Sequence, residues 1–178
     1  MWSPAGPRRP DCGGKQPGRH HDHPRNPCSG TGEMTVERPL PEIGDQNRRF
    51  WESARNGRLE LQRCKNCGQW RYPPARHCYG CLSEEAEWAL VSGRGTVYSF
   101  VVFHQAFHPA FKEQVPYNVA VVELVEGPRL VSNIVDCRNE EIYVGMPVEA
   151  VYEPVTDEVT LVKFRPVEVW ERADAVVD

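Results

Sequence analysis

Four cysteines carry the clearest chemistry in this sequence: Cys64-Lys65-Asn66-Cys67, ten intervening residues, then Cys78-Tyr79-Gly80-Cys81. A C-x-x-C turn sets two sulfurs on one side of a tight bend, about 3.5–4 Å apart. That separation is the edge of a thiolate tetrahedron whose metal–sulfur bonds are near 2.3 Å. The second knuckle supplies the opposite edge. The connecting loop is a little shorter than the common spacing of about fifteen residues, but it can fold back as a hairpin. Gly68 and Gly80 fall just after or inside the knuckles, where a positive φ is often required. The set predicts a Zn2+ ion on Cys64, Cys67, Cys78 and Cys81. With all four positions taken by thiolates no site stays open for water, so the metal would be structural and not catalytic. Iron suits the same ligands. Two disulfides are the remaining alternative, and a weak one: adjacent C-x-x-C bridges are strained, and no secretory signal precedes them.

No catalytic constellation accompanies these cysteines. There is no G-x-S-x-G, no H-E-x-x-H and no phosphate-binding glycine loop. His104 and His108 flank Phe107 in one loop and could be acid–base groups, but nothing in the sequence orients them. Cys137 as a nucleophile has the same weakness and reads as an inert small residue. Cys12 and Cys28 are left over.

The 178 residues suffice for one ordinary domain or two small ones, and 40% hydrophobic with 26% charged residues describes a soluble globular chain. No run approaches the roughly 18 apolar residues of a membrane helix, and no segment has the apolar core of a signal peptide. Cysteines concentrated in a metal pattern point to a reducing compartment, so a cytoplasmic location is expected. The net charge of −4 conceals an uneven split: +1 over residues 1–44, +5 over 45–82 and −10 over 83–178. A basic metal module and an acidic remainder could be two solvated faces that partly neutralise each other. Alternatively, the basic module meets something anionic. Its cations are Arg48, Arg49, Arg55, Arg58, Arg63, Lys65, Arg71 and Arg76.

Residues 1–41, rich in Pro, Gly, Arg and His, read as a disordered extension. His20, His21 and His23 could bind metal weakly but are better read as part of a solvated tail. Met34 opens a stretch that looks like a natural start, which would make residues 1–33 an upstream extension without function. Residues 42–57 contain a helix, with Asp45 as its N-cap and Gly57 as its stop. Its short stripe of Phe50, Trp51 and Ala54 needs a surface to dock on, either this protein or a partner. Residues 58–88 form the metal ribbon, with strands at Leu59–Gln62 and Trp70–Tyr72 and a Pro73-Pro74 turn. Its aromatics should cover the metal, because so small a module has little core. From residue 89 to 168 the pattern is strand-rich: Thr96–Phe103, Asn118–Val125, Arg129–Val135, a short helical piece at Asn139–Tyr143, Val148–Tyr152 and Val159–Phe164. Three strands, a short link and two strands suit a five-stranded Greek-key barrel of the OB type, ahead of an SH3-like barrel or a small sandwich. Residues 169–178 read as an acidic tail. The fold class expected is mainly β: helix, zinc ribbon, then OB barrel.

With these motifs placed, the sequence resembles the DUF35 family, which joins a helix and a rubredoxin-like zinc ribbon to an OB-fold. The likeness is carried by Phe50-Trp51-Glu52 through Gly57-Arg58-Leu59, the Cys64–Cys81 ribbon with Pro73-Pro74, and Gly93-Arg94-Gly95-Thr96-Val97-Tyr98-Ser99. It continues through His108-Pro109-Ala110-Phe111, Val115-Pro116-Tyr117, Glu126-Gly127-Pro128-Arg129-Leu130, Val144-Gly145-Met146-Pro147-Val148 and Phe164-Arg165-Pro166. The resemblance implies an accessory, non-catalytic subunit of a hetero-oligomer that handles acyl-CoA. The partner would be a thiolase-like enzyme, such as a steroid side-chain aldolase, or alternatively a MaoC-type enoyl-CoA hydratase. On that reading Arg58, Arg63, Arg71 and Arg76 of the basic module would meet CoA phosphates or the partner. His104, Phe107, His108, Phe111 and Tyr117 would touch the ligand or the partner, and Phe103 more plausibly packs the barrel. Single-stranded nucleic acid is a competing ligand for a ribbon beside an OB barrel. The −10 balance of the strand-rich part opposes it, since phosphate binding needs the other sign. No nucleic acid and no membrane are therefore expected as partners. An independently active enzyme is the third reading.

Overall fold

The computed structural model describes residues 38–167. The expectations for the His cluster, Cys12, Cys28, Met34 and the 169–178 tail lie outside the described residues. Residues 38–47 carry no regular structure beyond a turn and lead into helix α1, Arg48–Arg55. Strands β1 (Leu59–Cys64), β2 (Trp70–Arg71) and β3 (Ala86–Val91) form a three-stranded sheet in the order β2-β1-β3. Five further strands form the second sheet: β4 (Arg94–Phe103), β5 (Tyr117–Leu124), β6 (Arg129–Ser132), β7 (Pro147–Pro154) and β8 (Thr160–Pro166). Their order is β6-β5-β4-β7-β8, and every pairing is antiparallel.

The helix is shorter than its sequence signals imply. Asp45 does not cap it; Asn47 occupies the N-cap position, and its side chain instead braces the approach. Asn47 Oδ1 accepts the Gly44 N–H at 2.8 Å, and its Nδ2 donates to the Glu42 carbonyl. The Phe50 and Ala54 stripe is buried against this chain, where α1 packs on β1 and on β7 and β8. Phe50 meets Trp51 and Tyr72 edge-on or tilted, with centroids 5.0 and 5.6 Å away. The helix thus joins the ribbon to the second sheet.

Strand β3 is not legible in the sequence. Ala86-Glu87-Trp88-Ala89-Leu90-Val91 mixes good helix formers without alternation. Pairing decides it: every residue of β1 has a β3 partner, from Leu59 opposite Val91 to Cys64 opposite Ala86.

The five-stranded sheet curls into the half-barrel of an OB-fold. Strand β5 alternates strictly, turning Asn118, Ala120, Val122 and Leu124 inward. Gly95 lets β4 approach β5, because a Cβ there would lie 2.4 Å from the Glu123 carbonyl oxygen. A bulge at Tyr98 shifts the β4–β5 register and strengthens the curl. The exposed Tyr98 ring carries the Arg129 guanidinium on its face, 3.5 Å from the centroid, and Arg129 Nε pairs with Glu123 at 2.9 Å. The outer strands meet through residues 133–135: Ile134 and Phe164 form a parallel bridge, flanked by the Val135 N–H on the Phe164 carbonyl and the Phe164 N–H on the Asn133 carbonyl. Phe50, Leu59, Leu61 and Val91 belong to the same hydrophobic cluster as Val97, Val122, Leu130, Ile134, Val148 and Phe164.

Asn118 is the polar pin of that seam. It is 6% exposed; its Oδ1 accepts the Ile134 N–H at 2.7 Å and its Nδ2 donates to the Ile134 carbonyl at 2.9 Å and to Asn139 Oδ1 at 3.0 Å. Replacing it strands two backbone groups away from water. Asn118→Leu is expected to destabilise the fold by about 2–4 kcal/mol, read as a lower urea midpoint at unchanged slope. A loss below about 0.5 kcal/mol would contradict the pinning role.

Candidate metal centre and its surroundings

The two knuckles are built alike. In the first, the Cys64 N–H donates to the Gln69 carbonyl and the Gly68 N–H to the Cys64 carbonyl, both at 2.9 Å. In the second, the Cys78 N–H donates to the Ser83 carbonyl at 2.9 Å and the Leu82 N–H to the Cys78 carbonyl at 3.0 Å. The residue after each second cysteine takes the left-handed conformation: Gly68 at φ +73° and Leu82 at φ +60°. This corrects the reading of Gly80, which is not in that region. A Cβ at Gly80 would instead collide with Gln69 Oε1 at 2.2 Å, the movable end of a side chain.

The sulfurs of Cys64, Cys67, Cys78 and Cys81 all lie within 4.8 Å of one another. Cys64 and Cys81 are 3.6 Å apart and Cys67 and Cys78 3.5 Å. Both separations are far beyond the roughly 2.05 Å of a disulfide and close to the edge of about 3.8 Å that metal–sulfur bonds of 2.3 Å imply. The donor set and its spacing therefore fit a four-thiolate metal site. Cys64 and Cys78 are buried, Cys67 is exposed and Cys81 is half-buried. The Cys64 thiol is drawn down to about 6, first by the Cys67 backbone N–H and further by the Arg71 guanidinium, against the desolvation that opposes charge. The Cys78 thiol is lowered by the Cys81 and Gly80 N–H groups. For Cys67 the Gln69 N–H pulls downward, yet its sulfur neighbours Cys81 and Cys78 prevail and push it up to about 12. A metal that takes all four thiolates must displace those protons.

The predicted surface cations divide. Arg71 is not a surface residue: it is 0% exposed in β2. Its Nη1 donates to the Ala75 and Arg76 carbonyls, and its Nη2 to those of Ser83 and Glu85 at 2.8 and 3.1 Å. It cannot reach a CoA phosphate, and the expectation that it would is corrected here. Arg58, Arg63 and Arg76 are exposed. Arg63 lies over the Trp70 ring and Arg76 pairs with Glu84, while Arg58 forms no ion pair among the described residues. On the helix, Arg49 pairs with Glu60 and Arg48 with Asp45, and Arg55 reaches the Asp157 carbonyl.

The aromatic loop is a separate cluster. Phe103 stacks on Tyr117 at 5.3 Å and meets Phe107 edge-on at 5.6 Å, and Phe111 lies 5.9 Å from Tyr117. His108 caps the 3-10 turn Pro109–Gln114, its Nδ1 accepting the Ala110 N–H, and its ring packs edge-on against Phe111. His104 is exposed, and Phe107 is 74% exposed. None of the predicted cations joins this cluster. Arg38 does, from the stretch the sequence assigns to a disordered extension: it lies over Phe111 at 5.4 Å and pairs with Glu153, which also holds Lys163. Arg38, Phe111, Tyr117, Asn133 and Lys163 line a cleft of about 420 Å³. Nothing local in the sequence around Arg38 marks it. Cys137 is half-buried, and desolvation followed by the charges of Glu141 and Asp136 raises its thiol, as suits an inert residue. No described helix is long and apolar enough to cross a membrane.

A thiolate ribbon joined through one helix to an OB half-barrel defines a two-module class of protein. Residues 51–87 match the family described as "ChsH2, rubredoxin-like zinc ribbon domain", and residues 88–153 match "ChsH2, C-terminal OB-fold domain". The chain belongs to the DUF35 family. It is 41% identical over 113 residues to a DUF35 domain-containing scaffold protein of Methanocaldococcus jannaschii, covering 60% of this chain and 79% of that one. It is 43% identical over 129 residues to a probable enoyl-CoA hydratase alpha subunit of Thermomonospora curvata, covering 72% of this chain but spanning only 40% of that relative. Among solved structures it matches a chain of the Ltp2-ChsH2(DUF35) aldolase, with a TM-score of 0.64 and 42% identity, over 71% of this chain and 98% of that one.

Because the ribbon is small, the metal should carry much of its stability. Cys64→Ser and Cys81→Ser are each expected to lose stoichiometric metal and much of the soluble yield, measured by elemental analysis and circular dichroism. A soluble, fully folded, metal-free double variant would contradict a structural metal. Gly68→Ala, strained at φ +73°, is expected to cost roughly 1 kcal/mol in metal-loaded protein.

Proposed function

We propose that this chain is a non-catalytic subunit of a hetero-oligomer that processes acyl-CoA thioesters, with chemistry in a thiolase-like partner, for example a retro-aldol cleavage of a steroid side-chain thioester. The observation that carries the reading is the match to nearly the whole of one chain in a two-component aldolase. The likeness to a scaffold protein supports it. The ribbon metal in this reading is zinc, with a purely structural role. A MaoC-type hydratase is the second candidate partner, favoured by the likeness to an enoyl-CoA hydratase alpha subunit.

The contacts proposed for acyl-CoA or the partner are Arg58, Arg63 and Arg76 on the basic module and His104, Phe107, His108, Phe111 and Tyr117 on the aromatic loop. Arg38 and Lys163 add positive charge beside Phe111 and Tyr117, where a phosphate or pantetheine amide could lie. Phe107 is the most informative of these, because an aromatic ring 74% exposed contributes little to this chain's own core.

A tagged copy recovered from its native host should bring down one thiolase-like protein in stoichiometric amount, with one zinc per chain by elemental analysis. A MaoC-like protein instead would select the second reading, and recovery of the chain alone or with nucleic acid would overturn both. Phe107→Ala is expected to shift the melting midpoint by less than about 2 °C while weakening partner binding or raising the KM for acyl-CoA about tenfold. Unchanged binding and kinetics would remove Phe107 from the contact set.

A further inference from the structure

Arg71 stands out as a fully buried arginine with no carboxylate near it: its side chain forms no ion pair among the described residues. A buried guanidinium without an anion is costly, and neutral carbonyls satisfy its donors without cancelling its charge. Those carbonyls come from both sides of the second knuckle, Ala75 and Arg76 before it and Ser83 and Glu85 after it. They occupy both terminal nitrogens and so fix the direction of Nε. That Nε–H is buried and makes no hydrogen bond. Its strand, β2, pairs with β1, which ends at Cys64, and the four carbonyls bracket Cys78 and Cys81 in the chain.

Charge completes the argument, and it rests on the metal reading given above. A divalent ion on four thiolates carries a formal charge of about −2. The exposed sulfur of Cys67 and the half-buried one of Cys81 can be solvated by water, but Cys64 is 2% exposed and Cys78 0%. Arg71 is buried with these two, at 0% exposed. A thiol is a poor acceptor, whereas a metal-bound thiolate is a good one, so the idle Nε–H gains a partner only when the cluster is ionised. We propose that Arg71 is the built-in counter-ion of the metal centre, donating Nε–H to a thiolate on its buried edge and neutralising part of its charge. It is a positioning and charge-compensating residue, not a ligand.

The direct test uses the wild-type chain, labelled with 15N-arginine and loaded with 113Cd. A scalar coupling between the Arg71 Hε and cadmium, on a slowly exchanging proton, is expected. A rapidly exchanging Hε without coupling would overturn the proposal. Substitution separates charge from tethering. Lysine keeps the charge and loses the four-carbonyl grip; methionine loses both. In cobalt-loaded protein the thiolate-to-metal charge-transfer band of R71K should stay near the wild-type position. That of R71M should move to lower energy, with metal affinity about tenfold weaker in chelator competition. Equal displacement in both variants, or none in either, would mean that Arg71 only ties the loops. If the wild-type chain shows no thiolate charge-transfer band with cobalt at all, the metal reading itself fails, and the counter-ion with it.

Discussion

The structure depends on four sulfurs held within 4.8 Å of one another. That cluster fixes the end of β1 at Cys64 and, through Cys78 and Cys81, the entry to β3. Strand β3 has no sequence preference strong enough to form alone, so its pairing with β1 depends on where the knuckles deliver the chain. The paired strands present Leu59, Leu61 and Val91 to the cluster that also contains Phe50 and the half-barrel residues. A ribbon of this size cannot bury enough surface by itself. It borrows the barrel's core, and the thiolate cluster sets the geometry in which that borrowing is possible. Ribbon, helix and barrel are linked in that order, through the β1–β3 pairing and the packing of α1.

The buried polar side chains mark the joints in this chain of dependence. Ser53 Oγ donates to the Arg58 carbonyl where α1 gives way to β1. Arg71 gathers four carbonyls around the second knuckle, two of which, those of Ser83 and Glu85, also accept the backbone N–H groups of Cys78 and Lys65. Asn118 reproduces a strand-like pair of hydrogen bonds to Ile134, where the β6 ladder has already ended at Ser132. At each joint the regular ladder of backbone bonds gives out, and a buried side chain bonds the backbone there. These residues brace the joints between elements, and Asn118 does so at the wall of the cleft beside Tyr117.

The legibility of the sequence follows from how local each signal is. The knuckles, the turns and the alternating strands of the half-barrel are local patterns, and the structure carries them with boundaries moved by a few residues. The sequence leaves the docking surface of α1 between this chain and a partner, because an apolar stripe shows that a surface exists without saying whose. Strand β3 has no such local signal, because its identity comes from a partner strand more than twenty residues away. Arg71 and Arg76 look alike in a count of cations, yet one is enclosed and the other solvated. Only the three-dimensional path of residues 75–85 separates them. Arg38 was hidden for the opposite reason: its neighbours are compositionally loop-like, while its contacts are to Phe111 and Glu153, far along the chain.

What remains exposed argues for a role shared with another chain. The tip of the β4–β5 hairpin presents Phe107 to solvent, and the loop that carries it is braced from behind by Phe103, Phe111, Tyr117 and the His108 cap. A braced loop that ends in an exposed aromatic is organised to be covered, since ordering it against water alone gains nothing. The adjoining cleft is lined by polar and apolar side chains alike, with cations at Arg38 and Lys163 paired with Glu153. Arg38 and the face of Phe111 stand together there, so one ligand could meet charge and apolar wall at once. A rigid aromatic loop beside such a cleft is the kind of surface that a partner subunit would cover, which is why the reading as one subunit of a larger complex puts its contacts there.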